Sequence, residues 1–85
     1  MVSRAAVETV VVRVLALRAP PGTELSGTTE LFESGLLDSV VLTELVAAVE
    51  RELGVEVDVL EVDPDLLDTV NGVVGQLHEA LLTDG

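Results

Sequence analysis

Val7, Val10, Val11, Val14 and Leu15 stand three and four residues apart, which lines them up along one face of a helix. Glu8, Thr9 and Arg13 fall off that stripe, and Ser3 is suited to cap the N-terminus, so helix is favoured over strand in spite of the many valines. Ala19-Pro20-Pro21-Gly22 ends the segment, because proline cannot donate to the helix ladder and pushes the residue before it out of the helical region. The sharpest pattern follows at Leu42, Leu45, Val46, Val49 and Leu53, again at helical spacing. Asp38 or Ser39 is placed to cap its start, and Gly54 is placed to end it in a left-handed turn. A last stripe, Val70, Val73, Val74, Leu77 and Leu81, begins after Thr69 as cap. Gly72 and Gly75 weaken that helix by about 1 kcal/mol each relative to alanine, which predicts a close backbone approach there.

Between these helices the pattern changes. Thr23 to Leu37 is a long connection with Gly27 and Gly35, too long for a tight helical hairpin, and Leu25, Leu31, Phe32, Leu36 and Leu37 are its candidate anchors. Val55-Glu56-Val57-Asp58-Val59 alternates as a strand does, but a lone strand forms no sheet, so an extended connector is expected. Leu60 to Leu67, broken by Pro64, is expected to hold a short helical turn.

Composition narrows the class. The chain has 85 residues, 48% of them apolar, with Phe32 the one aromatic side chain, which fits a single small helical domain over residues 1–85 with an aliphatic core. Sixteen acidic residues against four arginines, and no lysine, give a formal charge of −12. Nucleic acid and anionic membranes both need positive charge at the contact, so basic proteins are the expected partners, and stability is expected to rise with salt. Glu8 and Arg13 interrupt the first apolar run and no small-residue cleavage pattern follows it, which argues against a signal peptide and makes the cytoplasm the default location. No stretch approaches the ~20 apolar residues of a membrane span.

Candidate chemistry is sparse. No cysteine is present, so disulfides, thiolate metal sites and thiol nucleophiles are excluded. A calcium loop starting at Asp63 would need an oxygen ligand at its fifth position and glycine at its sixth, where Leu67 and Asp68 stand. His78 is the single histidine; no elbow motif accompanies it, so a hydrolase triad with Ser39 is not supported, and a surface position near the helix C-terminus is expected. What remains is Leu31-Phe32-Glu33-Ser34-Gly35-Leu36-Leu37-Asp38-Ser39, a hydroxyl set where a loop turns into a helix. Taken alone, Ser39 reads as a helix cap.

The ordered set changes that reading. A first helix, a long loop, Leu31-Phe32-Glu33 with Gly35, Leu37-Asp38-Ser39 opening the second helix, Gly54 ending it and Thr69-Val70 opening the last resembles the phosphopantetheine-dependent acyl and peptidyl carrier proteins over nearly the whole chain. The resemblance implies an all-α four-helix bundle of acyl-carrier type, with a long first loop and a short third helix. It implies that Ser39 receives a 4′-phosphopantetheine arm from coenzyme A and that Asp38 positions the transferase and its magnesium. The protein would then be no enzyme. A monomer holding its substrate as a thioester, it would meet a phosphopantetheinyl transferase, a ligase, adenylation or acyltransferase loading enzyme, and downstream tailoring or condensing enzymes. Val40 and Val41 after the serine depart from fatty-acid carriers, and Leu36-Leu37 depart from many peptidyl carriers; the form is closer to stand-alone carriers, among them those that carry D-alanine.

A helix N-terminus also suits a phosphodiester, whose charge the free N–H groups and the dipole partly offset. On the same helix, Glu44 and Glu50 are candidate contacts for basic partners, with Val40 and Ala47 as small apolar contacts between them. A polar aminoacyl cargo is expected to stay in solvent, whereas a fatty chain would need an apolar cleft. The competing reading is an unmodified acidic helical adaptor using the same helix.

Overall fold

The computed structural model describes residues 2–82. Its three α-helices are α1 (Arg4–Arg18), α2 (Ser39–Leu53) and α3 (Val70–Glu79). Each starts where a polar side chain takes over a free backbone N–H. Ser3 accepts from Ala6, Asp38 from Val41 and Thr69 from Gly72. Proline after Ala19 stops α1, and Gly54, at φ +64°, stops α2 in the left-handed conformation that glycine adopts without strain. Among the described residues, no helix is long and apolar enough to cross a membrane.

The three apolar stripes meet in one core. Val7, Val11 and Leu15 of α1, Leu45 and Val49 of α2, and Val73, Val74 and Leu77 of α3 are completely buried. Each such side chain stabilises the fold by roughly 1.5–3 kcal/mol relative to exposure. Charge holds α1 and α2 together at the rim, where Arg13 pairs with Glu52 and Arg18 with Glu44. α3 lies against α1 where Arg4 reaches across, its Nη2 donating to the Asn71 carbonyl at 3.3 Å and its guanidinium covering Gly75.

The long connection is pinned rather than free. Leu31, Leu36 and Leu37 are buried, and the Leu31 N–H donates to Asp68 O at 2.8 Å while Val70 and Asn71 donate to Thr29 and Gly27. Phe32 departs from the expected anchors: half of it is exposed, because Leu31 fills the core position beside it. The loop therefore docks on the first turn of α3.

Two further expectations change. In place of a short third helix, the described chain carries two single 3₁₀ turns, Val59–Glu61 and Pro64–Leu66, started by the Asp58 and Asp63 carboxylates. Pro64 prevents the two from merging, since it has no N–H to give to the ladder. The alternating segment is also paired: β1 (Glu56–Val57) runs antiparallel to β2 (Leu81–Leu82), so Leu81 leaves the helix stripe to which its spacing assigned it. Close approach at α3 is real, since a Cβ on Gly72 would overlap the Leu66 carbonyl oxygen.

Candidate functional site

The start of α2 is built from beneath. Leu36 and Leu37 are sunk into the core, and both of their N–H groups donate to Leu31 O, at 2.9 and 3.2 Å. Gly35, at φ +75°, makes the turn that this folding back requires. Ser34 Oγ donates to the Glu30 carbonyl at 2.6 Å and stiffens the same bend.

Asp38 then leaves this anchor in extended conformation, and its Oδ1 accepts the Val41 N–H at 2.9 Å. The cap of α2 is therefore Asp38. Ser39 is the first helical residue, exposed, and its own carbonyl accepts from Thr43 Oγ1 at 2.9 Å. With capping done by its neighbour, the Ser39 hydroxyl is released for other chemistry. A phosphodiester fits there: the first N–H groups of a helix have no acceptor within it, and they lie at the positive end of the dipole.

Beside Ser39 a groove of about 520 Å³ opens, lined by Ser39, Leu42, Thr43, Val46, Ala47 and Glu50 on one side. These six positions repeat at helical spacing along a single face of α2. Val59, Val62, Pro64 and Leu67 form the opposite wall. The wall residues carry no legible signal in the sequence, since valine and leucine near a helix fill a closed core equally well.

The expected contact residues divide. Val40 is 61% exposed next to the serine, and Ala47 is exposed in the groove. Glu44, by contrast, is ion-paired with Arg18, and Glu50 Oε2 accepts the Val57 N–H at 3.0 Å, which ties α2 to β1. The site's outer edge carries more apolar surface than expected, with Val59 more than half exposed and Leu60 91% exposed on the first 3₁₀ turn.

Carboxylates where the loop meets Asp68 sense each other. Glu30 is held above the ordinary glutamate range, first by sharing a hydrogen bond with Glu33 and then by the charges of Glu33 and Asp68. Glu52 is held below it by the hydrogen bond from Arg13 and the charges of Arg13 and Arg51.

His78 is not a free surface side chain. It is partly buried, with Nε2 3.1 Å from the Val2 carbonyl at the start of α1. Among the described residues, no group of three or more histidine and carboxylate side chains is placed to hold a metal ion. The site thus offers an exposed hydroxyl, a capping carboxylate and an apolar trough.

The model of the family described as phosphopantetheine attachment site matches residues 5–77. Over 49 residues the chain is 45% identical to the D-alanyl carrier protein of Bacillus pumilus, covering 58% of this chain and 63% of that protein. Over 50 residues it is 44% identical to the D-alanyl carrier protein of Bacillus subtilis, covering 59% of this chain and 64% of the relative. The D-alanyl carrier protein of Enterococcus faecalis is 38% identical over 49 residues. The match spans a little under two thirds of these relatives' length.

Proposed function

Since the chain belongs to the phosphopantetheine attachment-site family and so takes 4′-phosphopantetheine as a covalent cofactor, we propose that Ser39 is the residue that carries the arm. The observation that supports this most directly is the division of labour at α2, where Asp38 closes the helix and Ser39 is left exposed at its first position. In the transfer, the Ser39 oxygen forms a bond to the phosphorus nearest pantetheine in coenzyme A. The pyrophosphate link breaks, adenosine 3′,5′-bisphosphate leaves, and the hydroxyl proton passes to solvent. Asp38 precedes Ser39 in the chain and is suited to help place the transferase's Mg²⁺ through the carboxylate oxygen that Val41 does not use.

The arm supplies the thiol that a chain without cysteine lacks, and it holds the substrate as a thioester. The protein is then a carrier without catalysis of its own, a single domain acting as a monomer in the cytoplasm. Its fold is the carrier-type bundle, with the two 3₁₀ turns standing where the short third helix would be. Partners are the transferase, a ligase or adenylating enzyme that loads the thiol, and an enzyme that takes the group onward. Their docking faces carry arginine or lysine, because Asp38 and the rest of a chain at −12 attract basic surfaces and repel acidic ones. Val40 and Ala47 are the apolar contacts beside the serine. The cargo is an aminoacyl group of the kind named in the relatives, D-alanine being the first to try.

Intact mass after incubation with coenzyme A, Mg²⁺ and a broad-specificity phosphopantetheinyl transferase tests the assignment. One added phosphopantetheine on the wild type and none on Ser39→Ala is the expected result. A folded wild-type chain that gains nothing from an active transferase would favour the adaptor reading instead.

A further inference from the structure

The three glutamates of α2 that bear on the site do not share one fate. Glu44 has Arg18, and Glu52 has Arg13 with Arg51 at 3.9 Å. The remaining arginine, Arg4, is engaged with the Asn71 carbonyl on α3. Glu50 alone of the three has no cation from its own chain among the described residues, and it alone lines the groove. Its Oε2 is committed to the Val57 N–H, which fixes the side chain and leaves Oε1 able to accept from another donor. A cation placed in this largely apolar trough would meet the Glu50 carboxylate with no arginine of the chain competing for it among the described residues.

The distance along the trough matches the reach of the cofactor arm. Ser39 and Glu50 stand eleven positions apart on one helix face, roughly 16 Å at 1.5 Å per residue. From the serine oxygen to its sulfur, a phosphopantetheine arm has about as many chain bonds as four to five residues of polypeptide, roughly 16 Å when extended. An arm joined to Ser39 and laid in the trough brings its thioester to Glu50. Leu42, Val46, Val59, Val62 and Leu67 face its hydrocarbon parts on the way.

We infer that Glu50 is the residue that seats the cargo: its carboxylate receives the α-ammonium of an aminoacyl thioester carried on Ser39. The inference rests on the carrier reading given above and deepens it. A cargo with a positive charge one carbon from the thioester carbonyl is held, while an uncharged acyl group of the same size finds an apolar trough ending in an unneutralised carboxylate. The other carboxylates near this end, Asp58, Glu61 and Asp63, stand on the turns outside the lining, and Asp58 and Asp63 are occupied by the N–H groups of Leu60 and Asp65.

Alanyl and propionyl groups differ only in the amino group and so isolate the charge. Each is delivered by a transferase from its coenzyme A thioester, and intact mass verifies each product. Amide spectra of wild type and Glu50→Gln are then compared; the glutamine amide retains an oxygen for the Val57 N–H, and the unloaded spectrum of the variant shows that the fold is kept. On the alanyl form of the wild type, the Val57 amide is expected to shift and the alanyl methyl to show contacts with Val46 or Val59. On the propionyl form, and on alanyl Glu50→Gln, the Val57 shift is expected to fall by at least half. Equal Val57 shifts for alanyl and propionyl, equal shifts in wild type and Glu50→Gln, or no contacts at all would overturn the role of Glu50 while leaving the arm on Ser39. Failure of both conjugates to attach with an active transferase would instead remove the carrier reading, and this inference with it.

Discussion

The Asp38 carboxylate accepts the Val41 N–H at 2.9 Å and thereby makes its neighbour Ser39 dispensable to the helix that Ser39 begins. Stability and modification are assigned to adjacent side chains. Asp38→Ala is expected to cost about 1 kcal/mol in urea denaturation, the usual loss of a helix cap, and Asp38→Asn much less. Ser39→Ala is expected to stay within about 0.5 kcal/mol of wild type. A large loss in Ser39→Ala would mean that the serine, not the aspartate, closes the helix. If Asp38→Asn keeps its stability but accepts the arm slowly, the carboxylate's charge acts on the transfer and not on the fold.

Two glycines are constrained for different reasons, and alanine separates them. At Gly72 the added Cβ meets the backbone oxygen of Leu66, which no side-chain rotation can relieve, so a loss of about 2 kcal/mol or more is expected despite the helix preference of alanine. At Gly54 nothing lies within 4 Å, and only the left-handed backbone resists. Gly54→Ala is expected to cost about 1–2 kcal/mol. Thermal melts of the two variants rank them; a neutral Gly72→Ala would contradict the packing of α3 on the second 3₁₀ turn.

Acid should affect the two ends of the acidic surface with opposite sign. Glu52 is held below the ordinary glutamate range by Arg13, so its contribution is present above about pH 4.3, the unfolded value, and is lost as pH falls through the lower folded value. Glu30 is held above that range by Glu33 and Asp68, so its contribution is present below the unfolded value and is lost as pH rises through the folded one. Arg13→Gln should therefore flatten the acid limb of stability against pH, and Glu30→Gln should stabilise the chain at neutral pH. Denaturation curves at pH 7 and at about pH 3.5 measure both. No gain in Glu30→Gln at pH 7 would show that the carboxylates of the loop do not strain one another.

Leu45 and Leu60 are the same residue at opposite extremes of exposure, 0% and 91%. Leu45→Ala is expected to cost about 2–5 kcal/mol, as buried leucines do. Leu60→Ala is expected to leave stability within about 0.5 kcal/mol, and a measurable loss on denaturation would place that side chain under cover in solution.

The helices are legible in the sequence because their signals are local. Three apolar stripes at helical spacing, with Ser3, Asp38 and Thr69 as caps and Gly54 as terminator, are all contained within a few residues of where they act. What the sequence hides is non-local. The partner of Glu56–Val57 is Leu81–Leu82, and Leu81 falls in step with Leu77, so helical spacing claims it first. Arg18 and Glu44 are separated by 26 positions, and nothing in either neighbourhood links them. At the site, Ser39 and Asp38 stand out through their order among the other motif residues. The groove does not, because its wall residues are ordinary aliphatic side chains whose failure to close on α2 depends on two 3₁₀ turns. Phe32, as the one aromatic, is expected inside, but Leu31 occupies the place that the backbone bend offers.

The two-rung pairing of β1 with β2 has a dynamic consequence. Everything from Asp58 to Ala80, including the far bank of the groove and all of α3, is a loop tied at its neck by Val57 opposite Leu81 and by the Asp58 N–H on the Ala80 carbonyl at 2.8 Å. A knot this small loosens far more often than the core melts. Amide exchange at Asp58, whose N–H spans the neck, therefore reports how often this pairing opens while α3 stays buried in the core, and exchange at Val57 reports how often the Glu50 carboxylate lets go of β1.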